Sequence, residues 1–247
     1  MEMQNRHRVA IVTGASRGIG AAIAERLARD GLAVAINFAN DAAAATALAR
    51  KIEAGGGRAM PVQADVGDAA AVSRLFDATE AALGRIDVVV NNAGIMLLGS
   101  IAESDDAMFD RVMGINLKGA YHGMREAAQR LRHGGRIINF STSVIGLRTE
   151  QYGIYAASKA AVEAMTAVLS KEMRGRGITV NAVAPGPTAT DLFLDGKSPE
   201  LIDRLAKLNP LERLGTPEDI AAVVSFLAGP DGAWVNGQVL RANGGMI

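Results

Sequence analysis

Arg8-Val-Ala-Ile-Val-Thr-Gly-Ala-Ser-Arg-Gly-Ile-Gly20 is the stretch that decides the fold. Arg8 to Thr13 is a short β-branched run without polar alternation, the pattern of a parallel strand buried on both faces. The glycines from Gly14 to Gly20 break it. Ala21 to Arg29 then places Ile23, Ala24, Leu27 and Ala28 at helical spacing, and Gly31 stops the helix.

Working outward, the same unit recurs. Strands are predicted at Ala33–Phe38, Ala59–Gln63, Ile86–Val90, Arg136–Phe140, Ile178–Val183 and Gln238–Arg241. Helices are predicted at Asp41–Ala54, Asp68–Leu83, Asp105–Arg132, Tyr152–Arg174 and Pro217–Leu227, the last with Pro217 in its first turn. Pro185 to Pro210 reads as irregular with one short helix. Strands alternating with helices imply right-handed crossovers and a doubly wound parallel α/β sheet of about seven strands, helices on both faces. Without a linker or low-complexity tract, residues 1–247 read as a single domain. Ligands of such sheets bind at the carboxyl ends of the strands, where strand order switches, so chemistry is sought in the loops that follow strands.

Composition narrows the classes. Lys plus Arg and Asp plus Glu balance at 26 each, so no global field draws nucleic acid or an anionic membrane surface, and neither is expected as a partner. There is no cysteine, which removes disulfides, zinc–thiolate sites and thiol nucleophiles. His7, His122 and His133 share no ligand spacing, so no metal is expected. No apolar stretch is long enough to span a membrane, and Met1–Arg8 lacks the apolar core of a secretory signal. The expectation is a cytoplasmic protein.

Gly14, Ser16, Arg17, Gly18, Ile19 and Gly20 lie at the first strand-to-helix junction. Glycines there permit a sharp turn and close approach of a ligand, and the helix N-terminus offers free N–H groups to a pyrophosphate. The spacing is G-x-x-x-G-x-G rather than G-x-G-x-x-G. A site selective for NAD places an acid at the end of the second strand. Here Asn37, Phe38 and Ala39 occupy that end, and no carboxylate follows until Asp41. That tolerates a 2′-phosphate, which Arg17 can pair, so NADP(H) is the expected cofactor.

Tyr155 and Lys159 stand at i and i+4 on a predicted helix and share a face. A phenol is a poor proton shuttle at neutral pH, and a nearby ammonium is expected to lower its pKa. Chance alone supplies about 0.07 such pairs in a chain of this composition, so the pair needs company. Ser141-Thr142-Ser143 supplies it, placing hydroxyls at the carboxyl end of a buried strand, where one can hold a substrate oxygen. The bland reading of these hydroxyls is a turn before the next helix. Asn116 is a poor helix-interior residue inside a long predicted helix; it either kinks the helix, holds a water or faces solvent.

Together, Thr13-Gly-x-x-x-Gly-x-Gly20, Asn91-Asn-Ala-Gly94, Asn116, Ser143, Tyr155-x-x-x-Lys159 and Pro185-Gly186 resemble the short-chain dehydrogenase/reductase family, a Rossmann-type fold. The match runs in order over nearly the whole chain and is nearest to 3-oxoacyl-(acyl-carrier-protein) reductase-like members, including the ending Asn236 to Gly245. The resemblance implies a catalytic set of Asn116, Ser143, Tyr155 and Lys159, with Asn116 positioning a water. It implies that Asp65 and Val66 contact adenine and that Asn92, Ala93 and Gly94 line the ribose. Pro185, Gly186, Thr188 and Thr190 would hold the nicotinamide end, with Tyr155 and Lys159 also touching the cofactor. The family's serine usually precedes the tyrosine by thirteen residues; here Thr142 does, and Ser143 is one closer. Ser143 is assigned from its Ser-Val-Ile-Gly146 context, with Thr142 as the alternative.

The implied activity is NADPH-dependent reduction of a ketone or 3-oxoacyl thioester, run backwards as alcohol oxidation. A non-catalytic NADP(H)-binding or sensing protein and an NAD-dependent alcohol, sugar or steroid dehydrogenase are the alternatives. Residues 188–212, rich in leucine, are expected to form a substrate lid, with Met96, Leu97, Leu98 and the loop Leu147–Ile154 as further walls. Arg125, Arg130 and Arg148 are candidate contacts for an acidic carrier protein. The resemblance also implies a homotetramer built on the two long helices.

Overall fold

In the computed structural model, which describes residues 7–247, seven strands form one parallel sheet. Met1–Arg6, and with them most of the N-terminal leader reading, lie outside the described residues. The strands are β1 (Val9–Val12), β2 (Ala33–Phe38), β3 (Arg58–Gln63), β4 (Val88–Asn91), β5 (Arg136–Phe140), β6 (Thr179–Pro185) and β7 (Val239–Ala242). Their spatial order is β3-β2-β1-β4-β5-β6-β7. Strand order therefore switches between β1 and β4, and the loops leaving those two strands open the central crevice.

Alternate residues of each strand feed two cores. Ala10 and Val12 join Ile23, Leu27, Leu48 and Val224 on one face, under α1 (Gly18–Arg29), α2 (Ala42–Ala54) and the late helix α10 (Pro217–Ala228). Val9 and Ile11 join Leu75, Phe76, Met124 and Val162 on the other. That second face lies under α3 (Ala69–Leu83), α5 (Gly119–Arg130) and α7 (Gly153–Glu172). Burial on both faces is what the unalternating strand sequences demanded. Pro61 sits in β3, the edge strand, where a missing donor costs no ladder bond.

Most element bounds fall within a few residues of the sequence reading, and β2 and β5 coincide with it. Three features differ. The long helix predicted at Asp105–Arg132 is α4 (Asp106–Val112), a π-helical turn (Met113–Lys118) and α5, with Asn116 inside the turn. A four-residue helix, α6 (Val144–Leu147), follows the hydroxyl triplet and ends on Arg148 in the left-handed region. The leucine-rich segment holds two short helices instead of one, α8 (Asp191–Leu194) and α9 (Pro199–Ala206).

Candidate active site

The loop after β1 and the loop after β4 are sewn together. The Thr13 hydroxyl accepts from the backbone N–H of Asn92 and of Ala93, both at 3.0 Å. The Asn92 amide donates to the Thr13 carbonyl (2.8 Å) and the Gly14 carbonyl (3.1 Å). Gly14 has φ 61°, and a Cβ there would lie 2.9 Å from the Ala93 Cα. Helix α1 begins at Gly18 from an extended Arg17 whose side chain makes no cap bond. The first-turn N–H groups of α1 are thus left to an outside acceptor, the chemistry of an anion cradle. Arg17 is exposed and makes no ion pair among the described residues. Asp41, the next acid after β2, accepts from the Ala44 N–H at 2.9 Å as the cap of α2.

Several residues expected at the cofactor have side chains engaged elsewhere in the scaffold. The Asn37 amide is buried and spent inside the scaffold. Its oxygen accepts from Gly14 N–H (3.2 Å), and its nitrogen donates to the carbonyls of Val62 (3.3 Å) and Ala64 (3.0 Å). Phe38 is buried in the core beside it. Asn37 ties the ends of β1, β2 and β3 together, and of the three expected contacts only Ala39 is exposed. Val66 is also buried, with its carbonyl bonded to His122 Nδ1 at 2.9 Å, while Asp65 is exposed and accepts from Gly67 N–H at 2.8 Å. Thr190 reaches across the cleft to Gly18, where a Cβ would lie 3.5 Å from its methyl group.

Asn116 does not hold its amide open for a water. Its oxygen accepts from Ile95 N–H (2.8 Å), and its nitrogen donates to the Ile95 carbonyl (2.9 Å) and the Ser158 hydroxyl (3.3 Å). Fully buried, it clamps the strand-end loop to the π-helical turn and to α7. A π-helical turn is a common device at functional sites.

Lys159 is buried, donates to the Phe140 carbonyl at 2.9 Å, and approaches Gly94 so closely that a Cβ there would lie 3.4 Å from its Nζ. Burial holds its ammonium down, to about 8. Burial pushes the Tyr155 phenol up to about 12, opposed by a hydrogen bond from Thr142 and reinforced by Tyr152. Loss of hydration thus outweighs the Thr142 hydrogen bond, and the phenol is pushed up where a lowering was expected from the sequence. The Tyr152 and Tyr155 rings meet edge to face, 6.2 Å between centroids.

The hydroxyl triplet is divided. Ser141 donates to the Glu163 carboxylate at 2.6 Å. Ser143 donates to the Ala184 carbonyl at 3.2 Å and accepts from the Asn243 amide at 2.9 Å, and it is almost fully buried. Thr142 accepts from Val144 N–H at 3.3 Å, and its hydroxyl lies beside the Tyr155 phenol. The Ser143 hydroxyl is thus engaged by the scaffold, while Thr142, the alternative, stands beside the phenol. The thirteen-residue spacing was the signal that pointed to Thr142. Arg130 is likewise unavailable to a carrier protein, being paired with Asp77 and Glu80, each at 2.6 Å, and with Glu126 at 3.3 Å. Among the described residues no cluster of acids and histidines suits a metal, and no helix is long and apolar enough to cross a membrane.

A phenol, a buried ammonium and a free hydroxyl above a glycine-rich anion cradle define a nicotinamide-type redox site. Comparison with known proteins agrees. The family model described as Enoyl-(Acyl carrier protein) reductase matches residues 14–247. A short-chain type dehydrogenase/reductase of Picea abies is 47% identical over 97% of this chain and 92% of its own length. An Arabidopsis thaliana protein named NADPH-dependent aldehyde reductase-like protein, chloroplastic, is 45% identical over 97% of this chain and 94% of its own. The crystal structure of a Burkholderia cenocepacia short chain dehydrogenase in complex with NADP superposes with a TM-score of 0.92. That protein is 39% identical and is matched over 98% of this chain and 99% of its own. The chain belongs to the short-chain dehydrogenase/reductase family of oxidoreductases.

Proposed function

We propose that this enzyme reduces the carbonyl of a small molecule to an alcohol with NADPH, using Tyr155 as proton donor and Thr142 as the hydroxyl that holds the substrate oxygen. The observation that carries this is the Thr142–Tyr155–Lys159 grouping at the carboxyl end of β5, across the crevice from the Gly14–Gly20 cradle. Bound NADPH supplies the hydride. Tyr155 carries the proton, and a phenol held at about 12 stays protonated across the neutral range. The Thr142 hydroxyl donates to the substrate oxygen as negative charge builds on it. Lys159 keeps a positive charge near the phenolate that proton transfer leaves behind. Asn116 and Ser158 are positioning residues that fix α7 against the loop bearing Gly94.

NADPH over NADH is supported by the exposed Arg17, by the capping duty of Asp41, and by relatives named or solved with that cofactor. Asp65 and Val66, Ala93 and Gly94, and Pro185, Gly186, Thr188 and Thr190 remain proposed contacts of that cofactor. Helices α8 and α9, with Leu192 and Leu208 exposed, form the proposed lid, whose apolar lining suits aldehydes, ketones and acyl thioesters. Exposed Phe109, Tyr121 and Val168 on α4, α5 and α7 support a homotetramer, which sedimentation tests. Nicotinamide absorbance, followed with NADPH and with NADH over aldehydes, α-diketones and 3-oxoacyl thioesters, tests the activity. Carbonyl-dependent oxidation of NADPH is expected, with NADH at least about tenfold slower at equal concentration. Cofactor binding with no turnover of any carbonyl contradicts the reading.

A further inference from the structure

Asn243 lies just past β7, a hundred residues from the loop that its amide reaches. Its nitrogen donates to the Ser143 hydroxyl at 2.9 Å, while its oxygen accepts from Gly245 N–H at 3.0 Å. Both ends of a buried amide are thus committed. Its Cα and Cβ press on Gly186, where a Cβ would lie 2.8 Å from that of Asn243. Gly186 N–H in turn donates to the Ala242 carbonyl at 3.0 Å, and Ser143 N–H to the Pro185 carbonyl at 2.9 Å. One side chain therefore joins three segments: the hydroxyl loop, the exit of β6 on the proposed nicotinamide side, and the C-terminal turn.

The turn itself is built to bring the chain back over that loop. Gly244 and Gly245 both lie in the left-handed region, at φ 68° and 85°, which a side chain resists. The chain then runs to Ile247, whose side chain fills the space that a Cβ on Gly146 would take. The C-terminal segment so touches the hydroxyl loop at Ser143 and α6 itself at Gly146. Behind it lies a cavity of about 220 Å³ lined by Pro187, Asn209, Leu211, Gly215, Asn243 and Gly244. At the rim of that cavity Gly244 lies against Asn209, where a Cβ would come 2.5 Å from the Asn209 Oδ1.

We infer that Asn243 is a positioning residue for carbonyl reduction: by fixing Ser143 it sets where Thr142 stands relative to Tyr155 and the nicotinamide-side loop. The inference rests on the assignment of Thr142 to the substrate oxygen. Asn243→Ala keeps the Cβ that packs on Gly186 and removes only the amide, so it separates positioning from cofactor binding.

The test uses the full chain, NADPH, and whichever carbonyl of the panel above turns over fastest. Asn243→Ala is expected to lower kcat about tenfold while the NADPH dissociation constant, read by nicotinamide fluorescence, stays within about twofold. Ser143→Ala is expected to lower kcat comparably, and the double variant no further than the worse single, because both break one link. If Asn243→Ala fails to fold, Asn243→Asp keeps the shape and the Gly245 contact but turns the donor into an acceptor. It is expected to lose at least about threefold in kcat at unchanged NADPH affinity. Wild-type kcat in the folded Asn243 variant beside an inactive Thr142→Ala overturns the inference alone. So do losses that multiply in the double variant. Wild-type kcat in Thr142→Ala overturns the underlying assignment and the inference with it.

Discussion

On one side of the crevice, Thr13, Gly14, Asn92 and Ala93 are joined by bonds within and between two glycine-bearing motifs. On the other side, Ser141 is held by Glu163, and Ser143 by Ala184 and Asn243, each from a different part of the chain. The first side is a cradle whose shape is fixed by close backbone approach. The second is a short run of hydroxyls in which two serve as anchors and one is left to act. The difference predicts a division of labour. Damage to the cradle moves cofactor affinity, and damage to the hydroxyl side moves turnover.

Tyr155→Phe is the largest expected break. It removes the proton donor and should cut kcat by about a thousandfold, with NADPH affinity changed by no more than a few-fold. Steady-state turnover beside fluorescence titration checks both, and near-wild-type turnover removes Tyr155 from its role. Gly20→Ala probes the opposite side. Its Cβ would overlap the Gly14 carbonyl oxygen and lie 2.6 Å from the Asn92 amide nitrogen that holds it. NADPH should bind about tenfold more weakly, with kcat at saturating cofactor within about threefold of wild type. Overpacking should also lower Tm by several degrees, from about 1–3 kcal/mol of strain. A variant that loses kcat but keeps its affinity breaks the division.

Lys159→Met sharpens the comparison through stability. The folded pKa of about 8 lies below the unfolded lysine value of about 10.4, so between these values the unfolded chain binds more protons. Wild-type stability therefore rises with pH across that window, and below about 8 the full cost of burying the ammonium is present. The variant should gain roughly 2–4 °C in Tm at pH 7, about 1 kcal/mol after loss of the bond to Phe140, and less than that at pH 9.5. An equal loss of stability at both pH values contradicts the account. Its kcat should fall while its Tm rises, as for a residue kept for chemistry at the expense of the fold.

The same contrast explains what was legible. Strand and helix order followed from unalternating β-branched runs and glycine stops, and the cradle was visible because its residues are contiguous. The inward turn of the Asn37 side chain was not legible, because a strand-end position says where a side chain begins, not which way it turns. Here it turns inward to two neighbouring strands. Asn116 was noticed as a poor helix residue, but the π-helical turn and the clamp on Ile95 arise only when the β4 loop packs beside it. The choice between Thr142 and Ser143 depended on Asn243, far away in sequence, whose local context is an unremarkable turn. For Tyr155, spacing reveals a neighbouring ammonium and not the water removed around the phenol, a loss that pushes its pKa up.

The most direct test of the central claim compares Thr142→Ala with Ser143→Ala in carbonyl-dependent NADPH oxidation. Thr142→Ala should lose about a hundredfold in kcat, Ser143→Ala about tenfold, and NADPH affinity should hold in both. A Ser143→Ala variant that is the more damaged of the two, or a Thr142→Ala variant with wild-type turnover, contradicts it.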